Sequence, residues 1–337
     1  MRKNLAQTNP NQPGSDVCTS PDIIPYQKDA VAPSTFITDE NWKKDLGKAI
    51  LKDEYNLIYI RGDNNATEQK TGTLELNYAP SNLVMWPSQW ADNRIQLATI
   101  EKFSQEITAA PGSKWAAEYA FQWKPGQLPS GADHYCLVAR MNEPVPQMNM
   151  SWDQLIEWIK KPNVGWRNVN MIVGNTPTWE RRYQLTLSKE ANIPEVSHCY
   201  IFAEFSRNMP LGVSVSFSCA GPGADPVINK QKEDYKEVGQ TIGMWSDVNK
   251  GFDQMGTLSF WANGKTIPTD ASVTLSMYNV DASAVLALNR QKRIVDRFNA
   301  YSENRIITYK DLIGFEEYLG AGGTLKRVGG IHNVFKP

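Results

Sequence analysis

The sequence predicts a mainly β protein built from two tandem antiparallel β-sandwiches, with short helical insertions and a helical C-terminal segment. Three observations support this prediction. Apolar residues alternate with polar ones in many short runs, turn residues separate those runs, and no crossover helices lie between them. The chain has 337 residues. Since single hydrophobic cores stop growing near ~250 residues, we expect two domains.

The first half of the chain shows the strand pattern from Tyr55 onward. Before it, residues 39–53 place Trp42, Leu46 and Ile50 at helical spacing and predict a short amphipathic helix. Period-two runs on either side of a turn at 62–65 then predict a hairpin. The further strands predicted in this half are 83–87, 95–97, 115–123 and 134–140.

The second half begins with a helix and returns to strands. Ser151 to Gln154 fits a capping box, and Pro162 stops the helical run. The polar stretch 224–238, rich in Lys and Asp, is expected to be a loop. Beyond Asp281 the apolar residues return to helical spacing. The strands predicted here are 169–173, 183–187, 199–203, 213–217, 258–261 and 273–277.

These elements divide the chain into five parts. We expect a flexible tail over 1–17, a first sandwich over 18–150 and a linker helix over 151–167. A second sandwich over 168–282 and a helical C-terminal extension over 283–337 complete the prediction.

The charge balance argues against several classes of partner. With 35 basic and 36 acidic residues the formal net charge is −1, which gives no long-range field to gather nucleic acid or anionic lipid. No apolar run reaches the ~18 residues of a membrane span. The N-terminal residues lack the apolar core of a Sec signal peptide. We therefore expect a protein that stays in the cytoplasm or is exported without a cleavable signal.

The cysteines and histidines are candidate metal ligands. His134 with Cys136, and His198 with Cys199, combine an imidazole with a thiol, as zinc sites do. Adjacent strand residues face opposite sides, so buried strand residues are the favoured interpretation, and we expect no metal or other cofactor. The four cysteines follow no C-x-x-C spacing and predict free thiols, with a Cys199–Cys219 bridge as the alternative in an exported protein.

No motif of a hydrolase is present in the sequence. There is no G-x-S-x-G elbow and the chain has three histidines. Glu316 and Glu317 diverge by ~100° on a helix and favour a solvated face. The Gly-rich stretch 320–323 is interpreted as a turn rather than a phosphate loop, and Arg61-Gly62-Asp63 as a hairpin end rather than an integrin-type motif. We predict no catalytic residue and a protein that is not an enzyme.

The tryptophans are the best sequence hint of binding. There are eleven, and four of them in the first domain exceed the need of one sandwich core. Exposed indoles stack on sugar rings or anchor protein interfaces. Trp86, Trp90 and Trp115 are therefore the candidate binding residues, and the alternative is that they pack in cores and between domains.

A family resemblance covers just under half of the chain. It is carried by Ser20-Pro21-Asp22-Ile23, by the strand and turn from Asn56 to Asn65, by Leu76 to Ser81, by Pro111-Gly112 with Phe121 to Pro125, and by His134 to Arg140. In this order residues 20–173 resemble the immunoglobulin-like modules of the bacterial cell-adhesion-related (CARDB-like) type. The resemblance implies an immunoglobulin-like sandwich with an accessory role and no shared catalytic residues.

The leading functional hypothesis is a non-catalytic protein-binding or structural component of an assembly. Its specific form is an accessory protein of a bacterial secreted toxin or contractile system, whose partner is another protein of the same operon or assembly. The first alternative is a carbohydrate-binding protein that uses exposed tryptophans. The second is a hydrolase or metal-dependent enzyme in the second domain.

Overall fold

The computed structural model describes residues 1–7, 17–51, 54–80, 82–125, 135–169, 177–220, 226–281 and 324–335. They form two compact units: unit 1 combines Met1–Met148 with Asp153–Ile172, and unit 2 combines Asn149–Trp152 with Val173–Pro337. The chain is mainly β, with several antiparallel sheets consistent with a β-sandwich. Within the described ranges no helix has both the length and the apolar character that a membrane crossing requires.

Unit 1 contains two antiparallel sheets. One has the order β1-β2-β7-β4, with β6 also paired to β2, and the other has the order β5-β3-β8-β9. Two short helices and two 3₁₀ turns, Pro33–Ile37 and Pro87–Gln89, accompany them. The elements are β1 (Ile23–Pro25), α1 (Asp39–Trp42), β2 (Asn56–Asp63), β3 (Lys70–Pro80), β4 (Gln96–Leu97), β5 (Ser104–Ala109), β6 (Lys114–Ala116), β7 (Phe121–Trp123), β8 (Tyr135–Met141), α2 (Trp152–Lys160) and β9 (Val164–Val169).

The core of unit 1 is filled by alternate residues of both sheets. Ile58 and Ile60 of β2 share one buried cluster with Leu74 and Leu76 of β3. Residues two apart on a strand point to the same face, so the period-two pattern of the sequence delivers its apolar side chains to this cluster.

Unit 2 also contains two antiparallel sheets, with the orders β10-β15-β12-β13 and β14-β11-β16-β17. Its elements are β10 (Thr178–Thr186), β11 (Val196–Phe205), β12 (Ser214–Ala220), β13 (Pro226–Asp234), β14 (Thr241–Asn249), β15 (Asp253–Trp261), β16 (Ser272–Asp281) and β17 (Thr324–Val334).

Aromatic rings from distant parts of the chain meet in the core of unit 2. Trp179 of β10 stacks on Phe260 of β15 with ring centroids 5.3 Å apart. Phe335, which follows β17, lies 4.9 Å from the Phe260 ring and 5.9 Å from the Trp179 ring. All three side chains are buried, so the residue after the last strand helps to close this core.

Two strands of unit 2 differ from the sequence prediction. The stretch 224–238, expected to be a loop, contains strand β13, which pairs with β12. Strand β14, which pairs with β11, was not predicted. Both lie at the end of their sheet. Edge strands carry charged and polar residues that discourage pairing with other chains, and this hides the alternation that marks inner strands.

The predicted linker and C-terminal helices are corrected in part. Helix α2 runs over Trp152–Lys160, but residues 164–167 of the predicted linker belong to β9, which pairs with β8. At the C-terminus, Thr324–Val334 is a strand paired with β16 rather than part of a helical extension. Residues 282–323 lie outside the described residues.

Unit 1 also departs from the prediction at two strands. The run 115–123, expected to be one strand, is divided into β6 and β7, both of which pair with β2. The run 83–87 is buried, but it leads into a 3₁₀ turn rather than forming a strand. In both runs the apolar residues correctly indicated a buried segment, but they did not determine its backbone conformation.

A candidate binding cleft around Trp42

The predicted binding residues are not at the surface. The exposed fractions of Trp86, Trp90 and Trp115 are 0%, 1% and 5%. Trp90 stacks on Trp158 with ring centroids 5.2 Å apart, and its Nε1 donates a hydrogen bond to the carbonyl oxygen of Met85 at 3.3 Å. The premise that these three indoles are exposed is therefore wrong, because their rings pack inside the unit.

The indole of Trp115 is placed by a glycine of the Arg61-Gly62-Asp63 sequence. This tripeptide ends strand β2, and a side chain at Gly62 would overlap the Trp115 ring. Arg61 is fully buried. The tripeptide thus has structural roles in the fold, since its glycine makes room for a core indole and its arginine points inward.

Three tryptophans in the chain are partly exposed, namely Trp42, Trp245 and Trp261, and the other eight are buried. Trp42 is the one that lies in unit 1. It ends α1, a helix of four residues where the sequence predicted a helix over 39–53.

Where the helix ends, at Trp42, two arginines donate hydrogen bonds to the main-chain carbonyl oxygens. Arg61 donates hydrogen bonds from Nη1 to the oxygen of Asn41 at 2.9 Å and from Nη2 to that of Lys44 at 2.9 Å. Arg2 Nη1 donates to the oxygen of Trp42 at 2.8 Å. These bonds satisfy helix-end carbonyls that a further turn would otherwise satisfy. The prediction of a longer helix is corrected by this tertiary contact.

Asp22 holds both arginines in place. Its side chain is fully buried and accepts hydrogen bonds from Arg61 Nε at 3.1 Å and from the Arg2 main-chain nitrogen at 2.6 Å. The Arg2 guanidinium also donates to it at 2.5 Å. Burial lowers the pKa of Arg61, and the Asp22 carboxylate opposes that effect. We call Asp22, Arg2 and Arg61 the arginine hub; its formal charge is positive because one carboxylate faces two guanidinium groups.

The indole of Trp42 lies among cations. The guanidinium carbon of Arg2 is 3.9 Å from the ring centroid, that of Arg61 is 5.0 Å away, and Lys114 Nζ is 5.5 Å away. Cation–π attraction contributes roughly 0.5–2 kcal/mol per contact, depending on solvation. The ring is therefore held in a fixed orientation by its charged neighbours.

A cleft of about 340 Å³ opens beside this indole. Leu5, which is 45% exposed, and Trp42 give it an apolar part. Lys43 and Asp63 place charges of opposite sign at its lining. The full lining is Met1, Arg2, Leu5, Gln7, Trp42, Lys43 and Asp63. Such a cleft can take an apolar group of a ligand while its polar residues bond to the groups around it.

The N-terminal part of the cleft was not predicted from the sequence. Residues 1–17 were expected to be a flexible tail, whereas Lys3 is fully buried and donates to main-chain oxygens, and Arg2, whose side chain is 12% exposed, belongs to the arginine hub. Residues 8–16 lie outside the described residues. A basic pair in a polar stretch is equally typical of a disordered tail. The feature that distinguishes this ordered segment is Asp22, the buried carboxylate that pairs with Arg2 and lies 20 residues later in the sequence.

The thiols of the described residues show no sign of activation. The four cysteines are free and buried, so no Cys199–Cys219 bridge forms. Burial raises the pKa of Cys136 and of Cys219 to about 12, and it raises that of Cys199 as well. A nucleophilic cysteine needs a lowered pKa, which is the opposite effect.

Of the two candidate histidine–cysteine pairs, His198 and Cys199 do not converge on one site. His198 Nδ1 lies 2.5 Å from Asp247 Oδ1 on the neighbouring strand, while the adjacent Cys199 is fully buried. Among the described residues no group of three or more His, Cys, Asp or Glu is arranged to hold a metal ion. His134, Glu316, Glu317 and the stretch 320–323 lie outside the described residues.

Comparisons with known proteins do not assign a family. No family model matches the chain, and no curated protein matches it either. The resemblance of residues 20–173 to CARDB-like modules therefore stays a prediction.

Solved structures give matches of low similarity. The collagen adhesin CNA from S. aureus matches 85% of this chain and 92% of its own at 4% identity and a TM-score of 0.21. CfaE, the adhesive subunit of CFA/I fimbria of enterotoxigenic Escherichia coli, matches 85% and 80% at 9% identity and a TM-score of 0.18. CBD12 from CALX1.2 matches 82% and 91% at 7% identity and a TM-score of 0.18. TM-scores this low support no inference about the chain.

Proposed function

We propose that the protein is a non-catalytic binding component of an assembly, and that the cleft around Trp42 recognises a partner protein. The observation that carries this proposal is the placement of Trp42. Its indole is partly exposed beside a cleft, and cations at 3.9 to 5.5 Å fix its orientation. Tryptophan and arginine dominate the binding energy of protein interfaces when they are held in such pockets.

The arginine hub makes the cleft a rigid surface. Asp22 and Arg61 are fully buried, and they hold Arg2 and the main chain around Trp42 in one arrangement. A side chain that is already ordered loses little entropy when a partner binds. When a partner inserts an apolar side chain beside Leu5 and Trp42, little of the free energy gained by burying it is therefore lost to ordering the cleft.

The charges at the lining select the partner. Arg2 and Lys43 bring positive charge to the lining and Asp63 brings negative charge, so a partner gains when its own charges face residues of the opposite sign. A partner whose charges face residues of the same sign loses affinity.

The detailed fold assignment is part of the proposal. We propose that each unit is an immunoglobulin-like sandwich with its two sheets enclosing the core, and that residues 20–173 are a CARDB-like module. A scaffold of this kind suits an accessory component. We therefore keep in the proposal the predicted role beside a bacterial secreted toxin or contractile system, with a partner from the same operon or assembly.

The test is quantitative capture with a matched control. The tagged full chain is incubated with lysate and culture medium of the source organism, and bound proteins are quantified by mass spectrometry. The cleft variant Leu5→Ser/Lys43→Glu is compared with Ile100→Ser/Lys102→Glu, which replaces an aliphatic residue and a lysine in the same way at exposed positions of a loop in unit 1. We expect one stoichiometric partner that the cleft variant loses and the control retains. Equal capture by both variants would overturn the proposal.

A second candidate is glycan binding at the same cleft. It is favoured by the partly exposed Trp42 beside Gln7 and Asp63, because sugars stack on indoles and bond to amides and carboxylates. A glycan array probed with wild type and with Trp42→Phe tests it. Signals that fall with the variant support this candidate, and a flat response to all glycans removes it.

A further inference from the structure

Asn263 and Gly264 form the single Asn-Gly step of the sequence. They are the central residues of a turn between β15 and β16, in which the main-chain N–H of Lys265 donates to the carbonyl oxygen of Ala262 at 2.9 Å. Their φ angles are 50° and 77°, the two positive values that a type I′ turn requires. Asparagine and glycine adopt this conformation more readily than other residues, so the turn itself accounts for the pair.

The side chain of Asn263 bonds this turn to the segment that connects β11 to β12. Its Nδ2 donates one hydrogen bond to the carbonyl oxygen of Gly212 at 2.8 Å and another to Ser214 Oγ at 2.5 Å. Ser214 is fully buried, and its hydroxyl donates in turn to Asp234 Oδ1 at 2.6 Å. We call the two hydrogen bonds from Asn263 to Gly212 and Ser214 the amide lock.

A carboxylate at position 263 cannot form the amide lock. An amide nitrogen donates two hydrogen bonds, whereas an ionised carboxylate only accepts them. The carboxylate would face the carbonyl oxygen of Gly212, which is also an acceptor, and the hydroxyl of Ser214, whose hydrogen is already bonded to Asp234. Converting the amide into an acid therefore replaces two favourable contacts with unfavourable ones.

The neighbouring main-chain nitrogen is placed to bring about this conversion. The N–H of Gly264 forms no hydrogen bond with another described residue, and Asn263 and Gly264 are both exposed. Apart from the chain neighbours, no atom lies within 4 Å of the position that a Cβ on Gly264 would take, so the nitrogen is open to close approach. Lys232 Nζ lies 3.5 Å from Asn263 Oδ1, the oxygen that gains negative charge when Cγ is attacked.

We propose that Asn263 is a deamidation site and that its reaction releases the turn from the segment between β11 and β12. The Gly264 nitrogen attacks Cγ of Asn263, and a new N–Cγ bond forms. The Cγ–Nδ2 bond breaks, and Nδ2 leaves as ammonia with the proton that the Gly264 nitrogen gives up, so that a succinimide ring remains. Water then adds to the ring. Cleavage of the new N–Cγ bond gives aspartate, and cleavage of the bond from the same nitrogen to the main-chain carbonyl carbon of residue 263 gives isoaspartate.

The amide lock controls the rate of this reaction. Cγ can meet the Gly264 nitrogen only after the side chain has left Gly212 and Ser214, so the two hydrogen bonds slow the first step. Once ammonia has left, no amide remains to form them again. The release is therefore slow and proceeds in one direction, with water as its co-reactant. This inference concerns unit 2 and does not rest on the cleft around Trp42.

The first test is peptide mapping by mass spectrometry while the full chain is incubated at mildly alkaline pH. Asn65 and Asn208 are the internal controls, because both are exposed and neither is followed by glycine. We expect deamidation at Asn263 to be at least about tenfold faster than at either control, which corresponds to about 1.4 kcal/mol of activation free energy. A rate at Asn263 no higher than at the controls would overturn the proposal.

Two serine variants test the role of the amide lock in the same assay. Ser214→Ala removes one acceptor of the Asn263 amide, whereas Ser216→Ala makes the same change two residues along β12 without removing a bond to Asn263. Ser214→Ala should speed deamidation by about fivefold, as expected for the loss of one hydrogen bond, and Ser216→Ala should leave the rate unchanged. Thermal melts check that both variants are folded. Equal rates in the two variants would show that the lock does not control the reaction.

Hydrogen–deuterium exchange tests the release itself. The variant Asn263→Asp, which carries one of the two products, should exchange the main-chain hydrogens of residues 206–213 and 262–271 at least about fivefold faster than the wild type. Incubated wild type in which residue 263 has reacted should do the same. Asn65→Asp makes the matched substitution at an exposed asparagine of unit 1 and should leave both segments unchanged. Unchanged exchange in Asn263→Asp would overturn the proposed release.

Discussion

The buried Lys3 predicts how the stability of unit 1 depends on pH. Its side chain is fully buried, and its ammonium group donates hydrogen bonds to the carbonyl oxygens of Lys161, at 2.6 Å, and Val164. No carboxylate in the described part of the chain pairs with it. Burial therefore lowers its pKa from 10.5 to about 7. Replacing Lys3 with methionine keeps the length of the side chain and removes the titrating group.

The sign follows from the two pKa values. The folded pKa lies below the unfolded one, so the folded protein favours the neutral amine. The stability cost is complete below pH 7, decreases as the pH rises from 7 to 10.5, and is absent above that range. Between pH 7 and pH 10 the wild type should gain about 3 kcal/mol of unfolding free energy relative to Lys3→Met.

Urea unfolding at both pH values measures this difference. Hydrogen–deuterium exchange of peptides from β8 and β9 assigns the transition to unit 1. The control is Lys102→Met, which makes the same substitution at an exposed side chain of unit 1. If the gap between wild type and Lys3→Met changes by less than about 1 kcal/mol from pH 7 to pH 10, the ammonium is not buried as the structure has it.

Three further outcomes are expected. Asp22→Asn removes the carboxylate that bonds to both Arg61 and Arg2 and should cost about 3–5 kcal/mol in urea unfolding; a loss below about 1 kcal/mol would contradict the hub. Gly243→Ala places a carbon 2.5 Å from the Cβ of Phe202, so its melting temperature should fall, and an unchanged melt would exclude the clash. The four thiols should not react with a disulfide reagent at pH 7.5 until guanidinium is added, whereas fast reaction in the native state would contradict their burial.

The inner strands were predictable because the apolar residues that fill their buried faces form recognisable runs in the sequence. In β11, Cys199, Ile201 and Ala203 alternate with residues of the other face and all three are fully buried. The run 199–203 was predicted as a strand, and the structure extends it to Val196–Phe205. Helix α2 was equally readable, since a capping box and a proline mark its two ends.

The helix predicted over 39–53 shows what local patterns omit. Trp42 and Leu46 do have helical spacing, but the carbonyl oxygens of Asn41 and Lys44 accept hydrogen bonds from Arg61, which is about 20 residues away in the chain. A buried arginine with five donors needs many acceptors, and helix-end carbonyls are a ready source of them. A prediction from the residues around 39–53 cannot include these bonds, because Arg61 lies outside that segment.

The candidate site was missed for a related reason. The sequence singled out Trp86, Trp90 and Trp115 because tryptophans are abundant there, but abundance in a strand-rich region indicates core. Trp42 stands instead before Lys43 and Lys44 in a stretch without period-two alternation, and this was the signal of an indole outside the sheets. Its cationic neighbours Arg2 and Arg61 come from other segments.

The position of Phe335 has a consequence for how the second unit forms. Its ring contacts Trp179 across 156 residues of chain, and β17 pairs with a strand that ends before residue 282. Contacts between residues so far apart in sequence slow folding, because a long loop must close before they yield any energy. During synthesis the aromatic core of this unit cannot close until residue 335 has left the ribosome. Until then the apolar faces of the strands made earlier stay exposed to solvent. Exposed apolar surface promotes aggregation, so a chaperone is most useful in this interval.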